Sequence, residues 1–240
     1  MRQRLWWLLL SLVPLTAQAV PSLVEPVTEG VWVVRDDEGN WGGMTNGITH
    51  QNKSPYQAKK ILDFSDVPAE IWPQLQEVRL SLYFMVHDYS WHDLPEVNGL
   101  DEAYEIVVNG TVHHYPTNSG APVFPARSAP TMAWYDLVIP KEEWRRGVNE
   151  VIVRKAPGEK SDDYLYLGID NGIRRGNSEV TFEGDVWTKD KLTIPGGNGE
   201  YMVRAYLIAR PTEVALRWQP GSGQLDDPTG LIRFAGLRRP

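Results

Sequence analysis

The sequence predicts an all-β protein, an antiparallel β-sandwich or jelly roll. Three observations carry this: apolar and polar residues alternate with period two in several segments, turn residues separate those segments, and helical periodicity is nearly absent. The clearest segment runs from Glu77 to Val86, where Val78, Leu80, Leu82, Phe84 and Val86 alternate with Arg79, Ser81, Tyr83 and Met85. Such alternation turns one face to a core and leaves Arg79 and Ser81 off it.

Other strands follow from the same pattern. Upstream lie Val31 to Arg35 and Ala58 to Phe64. Tyr104, Ile106 and Val108 then lead into Asn109-Gly110, which supplies the positive φ angles of a tight hairpin turn before Val112 to Tyr115. Ala133 to Ile139, Glu150 to Lys155, Tyr164 to Ile169, Glu179 to Phe182, Tyr201 to Ala209 and Glu213 to Trp218 complete the set. Ala69 to Gln76 and Lys141 to Arg146 are the segments suited to a helical turn, and Pro73 limits the first.

The chain opens with MRQRLWWLLLSLVPLTAQA: Arg2 and Arg4, an uncharged run from Leu5 to Leu15, and Ala17-Gln18-Ala19. This is the pattern of a cleaved secretory leader, and the run is too short for a membrane-spanning helix. The expected organisation is a signal peptide over 1–19, one sandwich domain over 20–218 and a loosely attached tail over 219–240. Secretion or a periplasmic location follows, with no stable membrane insertion. The absence of Cys excludes a disulfide framework and a thiolate metal site. Without Arg2 and Arg4 the chain keeps 22 basic residues against 31 acidic ones, which argues against nucleic acid as a partner.

The segments VRLSLYFMV with DYS after it (78–90), EIVVNGTVH (105–113) and WYDLVIPKEEWRRGVNEVIV (134–153) resemble the galactose-binding-like β-sandwich of carbohydrate-binding modules, over about Ala58 to Ile208. The resemblance implies that fold and, since its matching pieces are turn chemistry, not a ligand. It carries over no functional residue, because members of that family bind through different loops, and Asn109-Gly110 and Gly147-x-Asn149 are turn chemistry.

If Glu77 to Val86 points up, strand parity places the long connections 36–57, 87–102, 116–132, 156–163 and 184–200 together at the upper end. Sugar rings stack their CH faces on aromatics while their hydroxyls pair with Asp, Asn, Arg and His. His87 to Asp93 combines both kinds, so Tyr89, Trp91, His92 and Asp93 are the first ligand-binding candidates, with Trp41 and Trp187 second. The bland alternative is that these aromatics plug the end of the sandwich.

No cofactor is expected. Asp36, Asp37, Glu38, Asp162 and Asp163 are oxygen donors suited to a structural Ca²⁺, but they lack EF-hand periodicity, and a solvated acidic loop is the simpler reading. His87, His92 and Asp93 have no diagnostic metal-ligand spacing. G-x-S-x-G and H-E-x-x-H are both absent from the sequence. The function expected is non-catalytic polysaccharide or glycan binding; the alternatives are a glycoside hydrolase or lyase, and a surface or assembly domain that binds protein.

Overall fold

The computed structural model describes residues 20–51, 54–55, 57–88, 103–115, 132–157, 163–182, 186–189 and 199–209. In chain order the strands are β1 (Leu23–Thr28), β2 (Val31–Arg35), β3 (Trp41–Met44), β4 (His50–Gln51), β5 (Ser54–Pro55), β6 (Gln57–Asp63), β7 (Leu75–Asp88) and β8 (Tyr104–Val108). They continue with β9 (Thr111–Tyr115), β10 (Ala133–Ile139), β11 (Val148–Lys155), β12 (Asp163–Asp170), β13 (Ser178–Thr181), β14 (Thr188–Lys189) and β15 (Val203–Ala209). The two segments suited to helical turns form single 3-10 turns, Trp72–Gln74 and Lys141–Glu143.

Among the described residues these strands form two antiparallel sheets and a small hairpin. One sheet has seven strands, in the order β1-β2-β15-β7-β12-β3 with β10 also paired to β7; the other has six, β14-β13-β6-β11-β8-β9. Their facing sides make the core, as expected of an antiparallel sandwich. Val78, Leu80, Leu82 and Phe84 of β7 are fully buried there with Leu62, Ile106, Val151, Val153, Leu165 and Leu207.

Ser81 points the other way, yet it is also buried. It lies in register between Asp136 and Arg204, so the outer face of the seven-stranded sheet carries a side-chain layer of its own. Met85, Tyr164 and Tyr166 form a second apolar cluster there, with Met44 and Met132 packed against it. At Gly168 a Cβ would lie 2.5 Å from Cδ1 of Tyr83, so this layer needs a glycine beneath the ring.

Strands β1 and β3 have weak sequence signals for physical reasons. Pro26 interrupts β1, which pairs only with β2 among the described strands and shifts register between Pro26 and Thr28. β3 contains Gly42 and Gly43, which have no side chains to show alternation.

Contacts locate the two ends of the sandwich. At one end Asn109 and Gly110 have φ of 50° and 90°, as the turn requires. The Asn109 Nδ2 donates to the carbonyl of Glu143 (2.7 Å) and to Oδ1 of Asn149 (2.8 Å), while its Oδ1 accepts from the amide of Glu150 (3.0 Å). Phe64 stacks on Trp144 at the same end, with ring centroids 5.2 Å apart. The far ends of β7, β8 and β9 meet at the other end, where Phe84, Tyr104 and Tyr115 are in ring contact.

Candidate functional site

Lys60 carries the chemistry that periodicity alone places inside. It sits on β6 between Ala58 and Leu62, so its side chain turns into the sandwich and is 1% exposed. Its ammonium reaches the other sheet, to Asp36 Oδ2 at 2.7 Å and Glu200 Oε2 at 2.8 Å. Asp36 follows β2 and Glu200 precedes β15, and both are fully buried. Burying charge is tolerable only when each oxygen finds donors. Glu200 meets this condition: Oε1 accepts from the amides of Arg175 (2.7 Å), Gly176 (2.5 Å) and Asn177 (3.2 Å), and Oε2 also accepts from the Ser178 hydroxyl (2.5 Å).

Two further buried carboxylates adjoin this group. Asp170 accepts from the amides of Glu38 (2.7 Å) and Glu200 (2.6 Å). Burial raises its pKa above the ordinary carboxylate value, against the pull of those amides, and neighbouring Asp37 adds to the rise. Asp37 pairs with Arg204 of β15, whose Nε lies 3.0 Å from Oδ2 and whose Nη2 bonds Oδ1. Burial works against the charge on Arg204, but its hydrogen bonds to Asp37 and then Tyr206, with their charge, outweigh it and raise its pKa.

Glu200 makes the ionic group sensitive to acid. Burial alone would raise its pKa, but Lys60, Ser178 and the Asn177 amide outweigh that effect and hold it below 4.5. A depressed carboxylate stabilises the fold above its unfolded pKa and loses that contribution as pH falls through its folded pKa. Urea unfolding from pH 7 downward is therefore expected to show a steeper loss of stability below about pH 4.5 in the parent than in Glu200→Gln. Equal slopes would show that Glu200 does not govern the acid limb.

The ionic group also reaches the surface. Arg204, anchored by Asp37, stacks its guanidinium 4.3 Å from the ring centroid of Trp134 on β10. Tyr83 of β7, the register partner of Trp134, tilts against that ring with centroids 5.4 Å apart. Trp134 remains 37% exposed, and Asp136 and Val138 on the same strand face are exposed as well. A sheet surface thus offers an indole, a phenol, a charge-anchored guanidinium and a carboxylate side by side. Apolar CH groups can rest on such rings while hydroxyls bond the polar neighbours.

The residues singled out from sequence are distributed differently. Trp41 is exposed and pairs with Asp170, whereas Asp163, seven residues earlier on β12, pairs with Asp88. That separates Trp41 from Asp88 by about 23 Å along the strand. Trp187 lies against the six-stranded sheet, where the Lys59 ammonium sits 4.2 Å from its ring centroid. Lys59 also pairs with Glu179 (2.8 Å) and Glu150 (3.3 Å). Trp41 and Trp187 therefore belong to different sheets. Tyr89, Trp91, His92 and Asp93 lie outside the described residues, as does Asp162.

Asp36 and Asp37, offered by the sequence as oxygens for a cation or as a solvated loop, are fully buried and bonded to Lys60 and Arg204. Among the described residues no group of three or more His, Asp or Glu is arranged to hold a metal ion. Sequence reasoning missed Trp134, although the alternation of Ala133 to Ile139 already places it with Asp136 and Val138 on the polar side. Arg204 had no local signal, since its partner Asp37 is 167 residues away.

A groove of about 620 Å³ is at the Asn109-Gly110 end and is lined by Pro73, Gln74, Leu75, Gln76 and Lys141. The Lys141 ammonium there is already bonded to the carbonyl of Leu75 at 3.0 Å. No known protein family, curated protein or solved structure matches this chain.

Proposed function

We propose that this chain is an exported, non-catalytic carbohydrate-binding protein of the galactose-binding-like type, which lays saccharide on the outer face of its seven-stranded sheet. The observation that carries the proposal is the exposed Trp134, flanked by Tyr83 and braced by the Asp37-anchored Arg204. A sugar ring stacks on an indole through its CH face, and Asp136, Arg204 and Tyr206 are at hand for its hydroxyls. One feature of the described residues weighs against glycoside hydrolysis at this surface. Asp170, the carboxylate whose pKa is raised, is fully buried, and hydrolysis needs acids that reach the substrate.

Glycan-array screening followed by calorimetry tests the reading. Trp134→Ala is expected to weaken the best glycan by about 1 to 3 kcal/mol, roughly 5- to 150-fold, by analogy with aromatic stacking on nucleic-acid bases. Its unfolding transition should stay close to that of the parent. Trp41→Ala and Trp91→Ala, measured in parallel, report on the loop residues first suggested by the sequence. Unchanged affinity in Trp134→Ala would move the site off this face, and failure of the parent to bind any glycan would end the carbohydrate reading.

A further inference from the structure

The ionic group is short of positive charge and of hydrogen-bond donors at one point. Asp36 and Glu200 share the single ammonium of Lys60, and Arg204 is committed to Asp37. Asp36 Oδ2 is satisfied by Lys60 and by Asn177 Nδ2 (3.1 Å), but Asp36 Oδ1 is buried with no hydrogen-bond partner among the described residues. The adjacent Asn177 Oδ1 is likewise buried and unpartnered. Both side chains belong to residues with no exposed surface. A buried carboxylate oxygen left without a donor is destabilising, so the site suits a donor, and a cationic donor fits best.

A residue whose backbone can supply such a donor, Val20, is 45% exposed and tethered nearby through its carbonyl. The same Asn177 Nδ2 that bonds Asp36 also donates to the main-chain carbonyl of Val20 at 2.8 Å. Two bonds from one nitrogen, 2.8 Å and 3.1 Å long, put the Val20 oxygen within about 6 Å of Asp36 Oδ2. The Val20 nitrogen is in the same residue, on the chain side that leads to Ala19. Val20 is the residue that follows the A-x-A site of the leader.

We propose that removal of the leader completes the buried ionic group: the new α-ammonium of Val20 binds the orphaned Asp36 Oδ1 and Asn177 Oδ1. The proposal rests on the leader reading given above. Hydrolysis of the Ala19–Val20 peptide bond consumes one water and leaves a carboxylate on Ala19 and an ammonium on Val20. A neutral amide with one N–H becomes a cation with three. Before cleavage the Asp36 oxygen has no counterpart; after cleavage the cation has two acceptors waiting, its carbonyl already pinned by Asn177. The folded state is thereby stabilised only in the processed protein, which couples export to stability.

The exported protein is purified, and its first residue is read by N-terminal sequencing. Its unfolding midpoint is then compared with that of the same chain extended by one glycine before Val20, and of the parent after pyridoxal-phosphate transamination, which converts the α-amine to a neutral carbonyl and spares lysines. Both altered forms are expected to unfold about 5 °C or more below the parent, the size of shift a lost buried contact produces in a domain of this length. In an Asp36→Asn background the glycine extension should cost little, as a double-mutant cycle requires of two groups that interact. If Asp36→Asn does not fold, the transaminated parent still decides. Midpoints within about 1 °C of one another would overturn the proposal, as would an extension penalty that persists in Asp36→Asn. A start at a residue other than Val20 would overturn it through the leader reading, and the sequencing step identifies that case separately.

Discussion

Replacing Lys60 with methionine is expected to destabilise the protein by about 3 to 5 kcal/mol, the range for removing one partner of a buried ion pair. Methionine fills much of the same volume, so the loss is electrostatic more than steric. Lys60 is the cation that bonds both Asp36 and Glu200, and both carboxylates are fully buried. Without it, two negative charges face each other in a medium that screens them poorly. Urea unfolding at pH 7 reads the effect directly. Part of the stability should return when Lys60→Met is combined with Asp36→Asn and Glu200→Gln, because the charges left unpaired are then gone. A loss below about 1 kcal/mol, as at ordinary surface positions, would mean that the ion pairs do not persist in solution.

Leu82→Ala is expected to cost about 2 to 5 kcal/mol through lost burial and the cavity left behind. Leu82 is fully buried on the central strand β7, paired to Tyr135 of β10 on one side and Val203 of β15 on the other. Neighbours on both flanks are held by the sheet ladder, so the space cannot close cheaply. The same denaturation measurement applies, and a change below about 1 kcal/mol would place Leu82 on the wrong face. Because β10 hangs from β7, this substitution should also loosen Trp134 and weaken glycan binding secondarily, whereas Trp134→Ala affects binding alone.

These effects share one structural logic. Lys60 joins the sheets from within, Asp37 carries the same ionic group outward to Arg204, and Arg204 fixes the ring of Trp134. A surface aromatic held this way loses little rotational freedom on binding, which lowers the entropic cost of recognition. The proposed Val20 ammonium would strengthen the inner end of the same chain of contacts.

The period-two run from Val78 to Val86 determined by itself which face of β7 turns to the core between the sheets, and Asn109-Gly110 determined its hairpin, because both depend on residues adjacent in sequence. Lys60, which the sequence analysis did not single out, turns inward because it shares its face of β6 with the buried Ala58 and Leu62. Which groups meet there was a tertiary decision: Glu200 is 140 residues from Lys60, and Asp37 is 167 from Arg204. Parity grouped the long connections at one end, but Trp41 sits on β3 opposite Asp170 and Trp187 leans on the other sheet, since short edge strands form inside segments that look like loops. Trp134 was legible as outward-facing and still unremarkable, because its significance comes from Tyr83 and Arg204, which reach it only when β10 and β15 pack on the two sides of β7. Local alternation encodes which face a side chain takes; the partners across the sheet, and with them the charge balance and the binding surface, exist only once the strands are ordered in space.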